Sequence, residues 1–189
     1  MAQIKTSIKY KKLKNAIKAL AKEYHVKVGL LADKGGSDEV SKDLDLAGLG
    51  AIHEFGATIN VTDKMRAFFR HQFGINLKKT TKTIVIPARS FLELPITQQT
   101  KKLEKYMIEP FDDIETVEYW IAEKGDLMSV AMMLGGAGVR LINEAFETSG
   151  WGNWAPNSPL TIAQKGSAMP LIDTGKLRQS ITYEVQKNV

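Results

Sequence analysis

The chain has 189 residues, with 26 Lys and Arg against 21 Asp and Glu, and no cysteine. That length supports one ordinary domain, or a domain with an extended arm, and 43% hydrophobic with 25% charged residues exclude global disorder. Without cysteine there can be no disulfide, thiolate zinc site, iron–sulfur cluster or cysteine nucleophile.

The first predicted element is a basic amphipathic helix over residues 7–24. In it Leu13, Ile17, Leu20 and Tyr24 recur at helical spacing between lysines. It has no apolar h-region, so it does not read as a secretory signal. Its apolar stripe suits packing on its own domain better than a membrane surface. No apolar run approaches the roughly 20 residues of a membrane span. Val26 to Leu31 reads as a strand, followed by a polar, Gly-rich loop from Ala32 to Glu39. Leu44 to Phe55 suits a short helix stopped by Gly56, and Ala57 to Val61 looks extended. Residues 63–77 return to a helical pattern with Met65, Phe68, Phe69 and Phe73 on one side.

Lys78 to Lys82 is a basic turn, and Thr83-Ile84-Val85-Ile86 is a β-branched strand ended by Pro87. A helix is predicted from near Thr97 to Pro110, a second from Asp112 to Glu123, and a third from Asp126 to Phe146. Gly135, Gly136 and Gly138 in the third imply a kink or a close helix–helix contact. Residues 148–175 show little regular pattern, yet Trp151 and Trp154 need something to bury against. Leu177 to Val185 reads as a last strand, with Ile181, Tyr183 and Val185 on one face.

Charge is unevenly placed. Residues 1–30 carry eight lysines, among them Lys11, Lys12 and Lys14, against Glu23 alone. Residues 109–126 carry seven acids, among them Asp112 and Asp113, against Lys124. The two segments read either as complementary patches for neighbouring copies or as two solvated faces.

No catalytic or cofactor constellation stands out. His53-Glu54 begins like a zinc-protease helix, but Ala57 stands where the second histidine is required. Leu134 to Val139 has the wrong glycine spacing for a dinucleotide fingerprint and sits within a helix. There is no phosphate-cradling loop, no Gly-x-Ser-x-Gly elbow and no distinguishable acid/base pair. The expectation is therefore no catalytic residue, no cofactor and no metal. Arginine is scarce and few aromatics interleave with the lysines, so salt-dependent phosphate attraction is more in keeping than sequence reading of DNA.

Two ordered blocks carry a resemblance. The first is Gly48-Leu49-Gly50-Ala51-Ile52-His53-Glu54-Phe55-Gly56-Ala57-Thr58-Ile59 with Ile86-Pro87-Ala88-Arg89-Ser90-Phe91-Leu92. The second is Trp154-Ala155-Pro156-Asn157-Ser158-Pro159 through Gly166, then Pro170-Leu171-Ile172-Asp173-Thr174-Gly175-Lys176-Leu177-Arg178-Gln179-Ser180-Ile181. In this order they resemble the phage virion morphogenesis family of Mu-like tail-completion and neck proteins. The resemblance reaches from about residue 26 to 186, and a segment at 60–82 separates the halves of the first pattern. It implies an α+β fold, a mixed or antiparallel sheet packed with several helices, with long loops or arms for ring assembly.

The whole of 1–189 would be one neck or tail-completion domain. Within it lie a basic helix at 1–25, an insertion at 60–82 and an extended Trp/Pro/Gly-rich loop at 148–175. The implied function is a structural, non-enzymatic subunit of the head–tail connection, a closed ring around the DNA channel and commonly a hexamer. Its partners would be itself, other neck, connector and tail-tube or terminator proteins, and DNA as non-specific cargo, with no membrane. It would reside in the virion, and in the host cytoplasm during assembly. An alternative is a DNA-binding accessory protein of phage assembly using the Lys-rich N-terminal helix. A metal-dependent hydrolase would need a carboxylate constellation that is not visible.

Candidate structural and assembly residues are Glu54, Arg89, Phe91, Trp154, Lys11, Lys12, Lys14, Asp112 and Asp113. Arg89 can clamp a carboxylate, with Glu54 a candidate partner, or sit solvated. Phe91 anchors the chain after Pro87, and Trp154 with Pro156 and Pro159 holds a loop against the core. Asp173 to Leu177 reads as a tight turn or helix cap leading into the last strand.

Overall fold

A computed structural model describes residue 15 and residues 18–109 and 127–188. The fold is α+β, with helices packed on small antiparallel sheets. The central element is helix α5 (Leu127–Glu147), which buries Val130, Ala131, Leu141, Ile142, Ala145 and Phe146. On one side of α5 lies a ribbon of β1 (Tyr24–Gly29) and β6 (Thr182–Lys187), antiparallel in the register Tyr24↔Lys187 through Gly29↔Thr182. Period-2 alternation puts Val26, Val28, Tyr183 and Val185 on one face of this ribbon.

Helix α5 meets that face through its glycines. A Cβ on Gly135 would stand 2.2 Å from the Tyr183 ring, and one on Gly138 would stand 3.1 Å from Val28. The helix runs uninterrupted through the glycine cluster, and close approach to the strand ribbon, not to the second helix expected, is the reason for two of its three glycines. Gly136 faces open space.

Short elements surround this centre. A 3₁₀ turn (Ala32–Lys34) and a hairpin of β2 (Glu39–Ser41) with β3 (Leu44–Asp45) lead into α1 (Leu46–Phe55). The Asp45 side chain caps α1 by accepting the Gly48 N–H at 2.7 Å. Strand β4 (Ala57–Asn60) pairs antiparallel with β5 (Thr83–Ile86), and α2 (Asp63–Phe73) lies between them in sequence. Helices α3 (Glu93–Gln98) and α4 (Thr100–Ile108) pack on α5. Helix α6 (Pro159–Lys165) is capped by Ser158 with Pro159 in its first turn, and α7 (Lys176–Gln179) precedes β6.

Two clusters form the core. One gathers Leu46, Phe91, Ile142, Phe146, Trp154 and Leu177; the other gathers Leu20, Met107, Val130 and Ala131.

The strands are antiparallel, as expected, and fall into three two-stranded ribbons among the described residues. Several local expectations need correction. The helix expected from near Thr97 to Pro110 is two helices, α3 and α4, separated at Gln99, and the first begins at Glu93, because Pro95 sits within its first turn, where its missing N–H is not needed. The helix expected over 63–77 stops at Phe73, where Gly74 adopts the left-handed conformation. Residues 177–179 are helical, and the last strand starts at Thr182. The loop at 148–175 contains a full helix, α6, and the loop at 32–39 ends in a strand. Residues 18–23 are helical as expected, while Tyr24 already belongs to β1. The helix expected over 112–123 lies outside the described residues.

The segment 57–86 stands apart in character. None of its residues is buried. Arg66 stiffens it by donating to the carbonyls of Leu77, Lys78 and Thr81 at 3.1, 2.7 and 2.7 Å. Phe73 lies edge-on, 5.5 Å from both Phe68 and Phe69. The insertion at 60–82 is thus the helix and return loop of an arm whose base is the β4–β5 ribbon.

The two central glycines should respond oppositely to one methyl group. Gly135→Ala drives Cβ into Tyr183 and should cost about 1–3 kcal/mol. Gly136→Ala meets nothing and should stabilise by about 0.5–1 kcal/mol. Urea denaturation of both variants checks the pair.

Candidate functional site

The residues that carry the resemblance come from three stretches of chain, and the fold brings them together. Helix α1 places Glu54 in its last turn, 5% exposed. Gly56 then ends the helix at φ 76°, and here glycine is required. A Cβ would stand 2.9 Å from the Ala88 nitrogen and 2.9 Å from the Ile86 carbonyl oxygen of the returning strand. That approach lets the Arg89 N–H donate to the His53 carbonyl at 2.7 Å, which fixes residues 89–93 beside α1.

The Glu54 carboxylate faces the start of α3. Oε2 accepts the N–H groups of Phe91 at 2.7 Å and Leu92 at 2.9 Å; Oε1 accepts the Glu93 N–H at 3.1 Å and the Ser90 hydroxyl at 2.5 Å. Ser90 Oγ in turn accepts the Leu94 N–H at 3.1 Å. The first N–H groups of a helix have no partner within it, and a carboxylate satisfies them while facing the positive end of the helix dipole. Glu54 therefore caps the turn that leads into α3: the Glu93 N–H belongs to the helix, and those of Phe91 and Leu92 precede it.

Arg89 does not pair with Glu54. Its Nε donates to the Ala155 carbonyl at 2.8 Å and its Nη2 to the Pro156 carbonyl at 3.0 Å. At 6% exposure it is not a solvated arginine either. Burial holds its guanidinium below the usual arginine value. The physical reason for the correction is supply: the Glu54 oxygens are taken up by α3, and the extended loop after Trp154 turns two bare carbonyls towards Arg89.

Phe91 and Trp154 complete the cluster. Phe91 is fully buried, with its ring centroid 5.2 Å from that of Phe146, which lies 5.8 Å from Trp154 at 88°. Trp154 donates Nε1–H to the Ser90 carbonyl at 3.3 Å. Gly150, at φ 64°, makes room for the indole, since a Cβ there would lie 2.4 Å from Nε1. Glu54, Arg89, Phe91 and Trp154 thus converge, whereas Lys11, Lys12, Lys14, Asp112 and Asp113 lie outside the described residues.

Sequence reasoning missed four contributors. Ser90 had a signal, the Ser90-Phe-Leu-Glu93 spacing that marks a helix start. His53 holds its Nδ1 buried without a hydrogen-bond partner. Burial, then Arg89 and Lys165, keep its pKa below the ordinary imidazole value. Lys165 binds the carbonyls of Met169 and Ile172 and so folds the loop after α6. Glu144 joins α4, α5 and the following turn by accepting from Lys102, from the Tyr106 hydroxyl at 2.6 Å and from Trp151 Nε1 at 3.3 Å. Burial acts to raise the Glu144 pKa, and these three hydrogen bonds outweigh it, so the group lies below its ordinary value. Nothing in sequence spacing marks residues 144, 102 and 151 as neighbours.

Among the described residues no group of three or more His, Asp or Glu is placed to hold a metal ion. Among them no helix is long and apolar enough to cross a membrane. Comparison with protein-family models, curated proteins and solved structures gave no match.

Replacing Glu54 by Gln turns an amide NH₂ towards backbone donors and should cost about 2–3 kcal/mol in chemical denaturation. His53 sets a pH dependence with a definite sign. Its folded pKa is depressed, so the unfolded chain binds the proton more readily. Stability should be complete above the unfolded value of about 6.5 and fall as pH drops below it. His53→Gln should flatten that part of a stability-against-pH curve.

Proposed function

We propose that the chain is a structural subunit of the head–tail connection of a tailed bacteriophage, a neck or tail-completion protein that closes into a ring around the DNA channel. The observation that carries this reading is the convergence of the motif residues. Glu54, Ser90, Arg89 and Trp154 all spend their polar atoms on backbone or on one another. They hold chain segments in place, and a scaffold needs that from them. The described surface also carries an arm without a single buried residue, the kind of extension that ring subunits use to reach a neighbour.

In this reading the protein is not an enzyme and needs no cofactor. It acts in the virion after assembling in the host cytoplasm. A closed ring is heterologous, with one patch meeting a different patch on the next copy, and six copies are the expected number. Neighbouring neck, connector and tail-tube or terminator proteins are the further partners, and DNA is cargo.

Electron microscopy of particles made with and without the gene tests the reading. A ring of this chain at the neck, and unjoined heads and tails on deletion, are the expected results. Lys11→Glu/Lys12→Glu/Lys14→Glu should weaken assembly most at low salt, where charge attraction is least screened. Normal, infectious joints on deletion end the proposal. Tight duplex-DNA binding by the isolated chain at physiological salt favours the DNA-binding accessory protein instead.

A further inference from the structure

The arm of residues 57–86 contains eleven large apolar side chains, yet none of them is buried. Val85 is 66% exposed and Phe68 51%. An element this apolar with no core of its own leaves surface that isolated soluble proteins normally cover. The arm is also strongly basic. Lys64, Arg66, Arg70, Lys78, Lys79 and Lys82 stand against Asp63 alone, a balance of +5 that equals the net charge of the whole chain.

The body carries the complementary features. An open groove of about 660 Å³ is lined by Val26, Val28, Leu30, Ala51, Ile96 and Leu134, with Phe55 on its rim at 75% exposure. No residue of the arm lines it, so the chain does not fill it with its own arm. Two of its lining segments, at Leu30 and Ala47, are joined by the stretch carrying the β2–β3 hairpin. That stretch carries exposed Asp33, Asp38, Glu39, Asp43 and Asp45 against Lys34 and Lys42, a balance of −3. Lys34 is turned inward to the Tyr183 carbonyl, and Asp38 pairs with Lys176. Glu93 adds a further acid at the groove itself.

We infer that the basic, apolar arm of one copy docks into the apolar groove of the next copy, with the acidic stretch between Leu30 and Ala47 as its counter-charge and Phe68 as its anchor. Burial of the exposed aromatic supplies affinity, and the opposed charges set direction and partner. Arm and groove are different patches, so the contact is heterologous and propagates from copy to copy. It is the contact a ring subunit needs, and so rests on the ring reading.

The absence of cysteine makes engineered thiols specific reporters. Full-length Ala67→Cys protein, with the thiol on the exposed arm helix, is mixed with Thr97→Cys protein, with the thiol at the groove, and oxidised mildly. The expected product is the mixed dimer, and the doubly substituted chain should give a ladder of higher oligomers. Phe68→Ser should lower the yield about tenfold or more, as loss of an interface anchor does. Lys78→Glu/Lys79→Glu/Lys82→Glu should also lower it, and Glu39→Lys/Asp43→Lys on the partner should restore it, which a folding defect would not allow.

Cross-linking of Ala67→Cys only to itself, a yield indifferent to both sets of changes, or no cross-link at millimolar protein overturns the arm–groove contact. Duplex DNA captured by the arm lysines without any arm–groove cross-link also overturns it and assigns the arm to nucleic acid. Closed rings that show no arm–groove cross-link sink the contact and leave the ring reading standing. Cross-linked open chains absent from particles do the reverse.

Discussion

A single carboxylate organises the half of the molecule in which the recognisable motifs meet. Glu54 reaches from the end of α1 to the start of α3 and accepts three backbone N–H groups and a hydroxyl there. A buried carboxylate is costly unless its lone pairs are filled, and a helix start is one of the few places that offers several donors at once. The position of Phe91 follows from this bond, and Phe91 in turn fixes Phe146 and Trp154. Arg89 then ties the chain beyond Trp154 to the same point. Sites distant in sequence are bound by one bond network whose members cannot be moved independently.

The other half depends on packing. Helix α5 lies against the β1–β6 ribbon at a distance that only glycine permits, and its Met107-side cluster is closed by α4. The two halves share α5, so the helix transmits position from the ribbon to the Glu54 network. The Glu144 contacts with Lys102, Tyr106 and Trp151 brace its far end.

Local signals in the sequence were readable where the physics is local. The α1 helix and its Gly56 stop, the β5 strand before Pro87 and the face shared by Tyr183 and Val185 all follow from spacing and turn chemistry. Pro95 misled because a proline reads as a boundary, while a helix tolerates it in the first turn. The partners of Glu54 and Arg89 were illegible for a deeper reason. Apart from the Ser90 hydroxyl, their ligands are backbone groups, which every residue possesses, so no residue type announces them. The separation of the strands into three ribbons was equally hidden, since alternation fixes a face and says nothing about the neighbouring strand.

The pairing of β1 with β6 has a consequence for how the chain is made. Tyr24–Gly29 is synthesised well before Thr182–Lys187, its ladder partner among the described residues, and must wait for it. Until then its hydrogen-bonding edge is open and the Gly135 face of α5 has no tyrosine to receive. Loop closure over so long a stretch is slow, and the β1–β6 ribbon closes only after Thr182–Lys187 has been made. A ribosome that stalls before Thr182 thus releases a chain with an unpaired strand, open to degradation or to pairing with the wrong edge.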